Sequence, residues 1–184
     1  ARFDRNKSPS EMIQFAEKVG MIEEIDLAMC QRAIETLIGM TGTRVDLAVN
    51  ISGKSLDSDM FVEALMKLLE PHANLRRHML FEITESTAMT NLQRVERILI
   101  GLRQAGYRIC LDDFGAGASS FPYLQALSVD FVKIDGGEVA RMGDSAKDRA
   151  ILMAIFSWCR ARGIGMIAEM IERVEQAEDL HAMG

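Results

Sequence analysis

Cys110-Leu111-Asp112-Asp113-Phe114-Gly115-Ala116-Gly117-Ala118-Ser119-Ser120 joins an apolar segment to a loop of small residues through two adjacent carboxylates. Tyr107 to Leu111 has the composition of a β-strand. Adjacent carboxylates repel each other and lose hydration when partly buried, and a hard divalent cation is the commonest relief. Neighbouring residues on a strand point to opposite faces. Asp112 and Asp113 can therefore share a site only if the strand stops at about Asp112 and Asp113 already belongs to the loop. The loop glycines suit such a turn and let backbone approach a ligand closely. Taken alone, a D-D-x-G stretch is equally a capped, solvated turn, so the surrounding chain has to decide.

On the amino-terminal side, Ala1 to Asp4 reads as the tail of a strand. Ser8-Pro9-Ser10-Glu11 has the N-cap, first-turn proline and third-position glutamate of a helix start, and Gly20 stops that helix. Met12, Ile13, Phe15, Ala16 and Val19 give it an apolar face. A second helix is expected over 23–38, with Ile25, Ala28, Met29, Ala33, Ile34 and Leu37 as its buried stripe. A strand over 45–51, a helix over 58–69 and a strand over 79–84 follow. A helix over 92–104, ended by Gly106, leads into the strand that carries Asp112. Beyond the loop come a short helix over 121–127, a strand over 130–134, a helix over 147–162, a strand over 164–169 and a helix over 173–183.

Strands alternating with helices are the signature of a mostly parallel sheet, either a doubly wound open sheet or a (β/α)8 barrel. The polar residues separate the two. Asn50, Glu82, Asp112, Lys133 and Glu169 each fall at the carboxyl end of a different strand. An open sheet draws its ligand groups from the strands at a switch point, whereas every strand of a barrel ends at one mouth. The pattern favours a TIM-like (β/α) barrel. In this arrangement Leu47, Val49, Ile109, Leu111, Val132 and Ile134 face outer helices, and Asn50, Asp112 and Lys133 share the inward phase. A full barrel has eight strands and about 250 residues. The expectation is therefore an incomplete barrel, with first and last strands missing, in a single domain over 1–184 cut from a longer, multidomain protein.

The 184 residues, 48% hydrophobic and 26% charged, are enough for one globular core. A net charge of -6 without a basic stripe argues against a nucleic-acid polymer as partner. Cys30, Cys110 and Cys159 lack motif spacing, and reduced thiols in a cytoplasmic setting account for them. No apolar run is long enough to span a bilayer, so no membrane contact is expected of this domain itself.

Asn50, Glu82 and Asp112 are oxygen donors, suited to Mg²⁺ or Mn²⁺ rather than to softer metals. Asp113 is placed to hold a second ion, and two such ions clamp the attacking and leaving oxygens of a phosphodiester. Lys133 can neutralise phosphate charge or hold a water, and Glu169 can act as base or further ligand. A strand-end Asn or Glu is individually a common cap residue, and Lys133 can pair structurally with Asp112 or Asp135. A barrel-strand lysine is also where Schiff-base aldolases keep their nucleophile, but neighbouring carboxylates hold Lys133 protonated and unreactive.

Leu47-Ala48-Val49-Asn50-Ile51-Ser52, Phe81-Glu82-Ile83-Thr84-Glu85-Ser86, Asp112 to Ser120, Val132-Lys133-Ile134-Asp135-Gly136 and Ala168-Glu169-Met170-Ile171-Glu172 together resemble the EAL domain, in order and in spacing. Phe15 to Ile22 is similar to that family's first helix. The resemblance implies a cytoplasmic, homodimeric cyclic di-GMP phosphodiesterase of bacterial second-messenger signalling, which forms linear pGpG with Mg²⁺ or Mn²⁺ in a two-ion site. It implies that Asn50, Glu82, Asp112 and Asp113 bind metal, that Lys133 orients the water and that Glu169 is the base. It also implies that Arg2 contacts a substrate phosphate and that Glu85 anchors the 115–120 loop next to the dimer interface. Three departures stand out. The E-A-L tripeptide and the last strand are missing from this chain, and Met170 replaces the glycine of the A-E-G-V-E pattern. If these are real losses rather than truncation, a non-catalytic cyclic di-GMP receptor or scaffold is the alternative.

Overall fold

The computed structural model of the chain describes residues 8–40, 45–84, 91–115, 121–142 and 145–183. Arg2, Glu85 and the loop residues Ala116 to Ser120 lie outside them. Helices α1 (Pro9–Val19) and α2 (Ile22–Gly39) precede strand β1 (Leu47–Asn50). Helices α3 (Gly53–Leu56) and α4 (Asp59–Leu69) lead through a 3-10 segment, Glu70–His78, to β2 (Met79–Thr84). Next come α5 (Leu92–Gln104), β3 (Arg108–Phe114), α6 (Phe121–Ala126) and β4 (Phe131–Ile134). Helices α7 (Gly136–Met142) and α8 (Ala146–Ala161), strand β5 (Gly165–Ala168) and α9 (Val174–Met183) complete the order.

The five strands lie in sequence order, and every adjacent pair is parallel. A doubly wound sheet needs a reversal of strand order at a switch point. No reversal occurs among the described residues, so the winding is that of a barrel. The barrel is not closed: β1 and β5 are both edges of the described sheet.

Strand alternation sorts the side chains as the sequence suggests. Val49, Phe81, Ile83, Ile109, Leu111, Val132 and Ile134 are buried on the helix-covered face, whereas Leu47 is half-buried. Against them pack Leu65 and Phe61 of α4, Val95 and Leu99 of α5, and Leu152 and Phe156 of α8. Each fully buried Leu or Phe of this layer contributes roughly 1.5–3 kcal/mol relative to exposure. Cys30, Cys110 and Cys159 are all buried free thiols.

Two helix faces differ from the sequence expectation. In α2 the buried set is Ile22, Asp26, Cys30, Ala33, Ile34 and Leu37, while Met29 and Ile38 are exposed and Ile25 is only half-buried. A buried aspartate anchors this face, and its polarity hid the stripe. In α1 only Ala16 is buried, and Ile13, Phe15 and Val19 stay exposed. In α8, Leu152, Phe156 and Cys159 are buried and Ile151 is half exposed. The capping box of α1 forms as read, with Ser8 Oγ accepting from the Glu11 N–H and Glu11 Oε2 accepting from the Ser8 N–H.

Candidate metal centre

Strand β3 does not stop at Asp112 but runs to Phe114. The condition for Asp112 and Asp113 to share a site is met differently. The register with β4 slips between Leu111 and Phe114, and Asp113 takes a left-handed backbone with φ 56°. Aspartate tolerates that conformation better than most residues. The Asp113 N–H donates to Asp112 Oδ1 at 3.0 Å, which fixes the preceding carboxylate.

Register carries the other groups to the same end. Asn50 stands beside Glu82, Thr84 beside Asp112, and Lys133 beside Ile167 two residues before Glu169. Lys133 Nζ lies 2.9 Å from Asp112 Oδ1, 2.6 Å from Glu169 Oε1 and 3.6 Å from Glu82 Oε1. Its side chain is 16% exposed. Carboxylate oxygens of Asp112, Asp113 and Glu169 all lie within 4.8 Å of one another. The structure thus brings together Glu82, Asp112, Asp113, Lys133 and Glu169. Asn50 stays on the neighbouring strand. It is exposed and borders a cavity of about 400 Å³ shared with Ile13, Asp26 and Ser52.

Four carboxylates face one ammonium here, leaving three negative charges if all are ionised. The titration of the groups follows. Burial pushes the Glu82 carboxyl up, Lys133 pulls it back, and Asp112 and Glu169 add to the rise. Burial and then the charges of Asp112, Glu169 and Asp135 raise Asp113, against Lys133. Burial works against the Lys133 ammonium, but its bonds to Glu169 and Asp112 outweigh that and hold it well above the ordinary lysine range. Beneath them the Cys110 thiol is pushed up to about 12, by burial first and then by Glu82 and Asp112, so it is inert at neutral pH. An oxygen-only donor set with residual negative charge suits a hard divalent cation.

Sequence reasoning missed the residues that hold this end in place. Asp26 accepts from the Ser52 N–H at 2.8 Å and from Ser55 Oγ–H at 2.6 Å, clamping the turn after Asn50. Ser52 also donates to Glu17 Oε1 at 3.1 Å, which ties α1 to the same turn. The available signal was an acid in the middle of an apolar helix face.

A parallel β/α array with an acidic mouth at its strand ends defines the class. The sequence model of the EAL domain matches residues 2–184. The chain belongs to the EAL domain family. It is 36% identical over 179 residues to cyclic di-GMP phosphodiesterase PdeB of Shewanella oneidensis, covering 96% of this chain and 21% of that protein. The structure of PaMucR phosphodiesterase in complex with c-di-GMP superposes with TM-score 0.83 at 31% identity, covering 96% of this chain and 78% of that one. The FimX EAL domain shares the fold, with TM-score 0.87 at 22% identity over 100% of this chain and 75% of that one. The chain spans about a fifth of the length of PdeB.

Proposed function

We propose that this chain is the hydrolytic domain of a cyclic di-GMP phosphodiesterase that yields linear pGpG. The convergence of Asp112, Asp113, Glu82 and Glu169 on Lys133 carries this reading, together with the similarity to proteins named for that activity. Asp112, Asp113, Glu82 and Glu169 would hold Mg²⁺ or Mn²⁺, with Asn50 as a further oxygen donor at the rim. Two ions fit the separate but adjacent positions of Asp112 and Asp113. When bound, the metal supplies Lewis acidity to the phosphate oxygens.

The residues of the chain do the rest. Lys133 Nζ, held protonated, attracts the phosphate and orients a water by donating to it. Glu169 Oε1 exchanges its bond to Lys133 for one to that water and takes its proton as the oxygen attacks phosphorus. The P–O3′ ester bond breaks and the departing ribose 3′-oxygen is protonated from solvent, leaving a 5′-phosphate and a free 3′-hydroxyl. The buried Glu82 and half-buried Lys133 limit competing solvent, which strengthens each electrostatic contact. Arg2 is assigned to a substrate phosphate and Glu85 to anchoring the following loop, both from the family resemblance alone. The same reading places the domain in the cytoplasm as a homodimer and within a longer protein. No helix of the described residues is long and apolar enough to cross a membrane.

The second reading is a receptor that holds cyclic di-GMP without cutting it. The 2.6 Å pairing of Glu169 with Lys133 favours it, because a carboxylate oxygen occupied by an ammonium has to release that bond before it can receive a proton from water. Incubating the full chain with cyclic di-GMP and Mn²⁺, and following products by chromatography, separates the two. Linear pGpG is expected. Retained binding without product would establish the receptor.

A further inference from the structure

Only two non-glycine residues among those described have a left-handed backbone, Asp113 and Met170 (φ 52°). Such outliers gather at functional sites and persist only where their surroundings enforce them. Asp113 is explained by its place in the acidic cluster. Met170 lacks the short polar side chain that eases this conformation, and it is 73% exposed, so core burial does not account for it.

Its neighbour across the site mouth does. A Cβ placed on Gly136 would stand 2.7 Å from Met170 Cβ, 2.8 Å from its Sδ and 2.9 Å from its Cγ. Rotating the thioether cannot remove a clash with Cβ, which the backbone fixes. Residue 136 must therefore be glycine for residue 170 to sit where it does. Both segments are tied down beside this contact. The Glu169 N–H donates to Ile134 O at 3.3 Å, and the Asp135 N–H donates to Phe114 O at 3.1 Å. The Asp135 side chain accepts from the Gly137 N–H at 2.9 Å. The corner so locked ends at Glu169, whose carboxylate meets Lys133.

We propose that Met170 is a positioning residue: seated on Gly136, it holds the left-handed turn after β5 that aims the Glu169 carboxylate at Lys133. Alanine at 170 keeps Cβ and the conformational penalty but removes the Cγ and Sδ that rest on Gly136, so the turn relaxes and Glu169 swings away. Glycine at 170 removes the seat and the penalty together, because glycine adopts the turn unaided. Alanine at 136 evicts Met170 and disturbs Glu169 in the same way. The effect on catalysis rests on the phosphodiesterase reading, whereas the positioning itself does not.

The test uses the full chain without metal and reads the side-chain ammonium ¹⁵N resonance of Lys133 by NMR. Met170→Ala and Gly136→Ala are expected to shift that resonance, while Met170→Gly and the double variant Gly136→Ala/Met170→Gly keep it near the wild-type position. In turnover of cyclic di-GMP, kcat should fall roughly 10–100-fold in the two alanine variants, as for loss of a group that orients a ligand, with KM little changed and with rescue by Met170→Gly. An unmoved resonance in Met170→Ala overturns the proposal, as does equal displacement in Met170→Ala and Met170→Gly. Wild-type chain that cleaves nothing refutes the phosphodiesterase reading, and the resonance series still decides the positioning.

Discussion

The two ends of the sheet handle charge in opposite ways. At the amino end, Asp46 accepts from Arg108 Nη2 at 2.6 Å and lies 2.9 Å from His78 Nδ1. The Arg108 bond, then the His78 bond, holds the Asp46 carboxyl below its usual range. Asp130 receives the guanidinium fork of Arg103 and the Ile109 N–H. Each acid there has a cation and a defined bond. At the carboxyl end, Glu82, Asp112, Asp113 and Glu169 share Lys133 alone among the described residues, and burial, with the neighbouring carboxylates adding to it, raises Glu82 and Asp113 despite that lysine. Matched charge at one end supports the fold. Unmatched charge at the other stores repulsion that a cation would relieve, which is how a binding end is told from a supporting end.

The largest effect expected from breaking this contrast is at Asp112. Asp112→Asn should reduce Mn²⁺-dependent turnover roughly 10²–10³-fold, the size typical for loss of one charge-stabilising group. Its circular dichroism spectrum should match that of the wild type, because the side chain adds charge rather than packing.

Asp113→Asn sharpens the contrast through stability. The folded carboxyl of Asp113 titrates above its unfolded value, so ionising it costs stability. The metal-free wild type should lose stability as pH rises from below the ordinary carboxylate range through the higher folded value. The variant should show a smaller loss, a higher Tm at neutral pH and weaker Mn²⁺ binding. Lys133 titrates above its unfolded value, so its contribution is fully present at neutral pH and is lost only as strongly alkaline pH passes its folded value. Differential scanning calorimetry against pH reads both.

The smallest effect is expected at the amino end. Asp46→Asn should cost about 0–1 kcal/mol, as for a solvent-exposed ion pair, and leave turnover unchanged. A large loss of activity there would erase the distinction between the two ends.

How much of this was legible in the sequence depends on how local the cause is. Strand β2 and helix α5 fall on the residues their periodicity indicates, because apolar spacing and the Asn91 cap suffice to define them. The short helices α3 and α7 were not foreseen. Ser52 caps α3 while Asp26 holds its start, and the Asp135 side chain bonds the first turn of α7. One of those partners is remote in sequence, and the other acts within a turn that opens Gly136-Gly137, a poor helix start. The strand-end acids and Lys133 were visible as residue types at strand ends. Their convergence depends on register, and the register slip at Asp113 replaces the strand stop that the sequence suggested. The Met170–Gly136 seat could not be seen, since it joins residues that only the packing of β4 beside β5 brings together.

The central claim is that the carboxyl-end acids form one cation site. Anomalous diffraction at the manganese edge, from a crystal of the full chain grown with Mn²⁺, tests it directly. The account predicts manganese density, as one peak or two, within ligand distance of the carboxylates of Asp112, Asp113 and Glu169. Density without manganese at that cluster, in a crystal whose protein is folded and whose solvent holds the metal in excess, would contradict it.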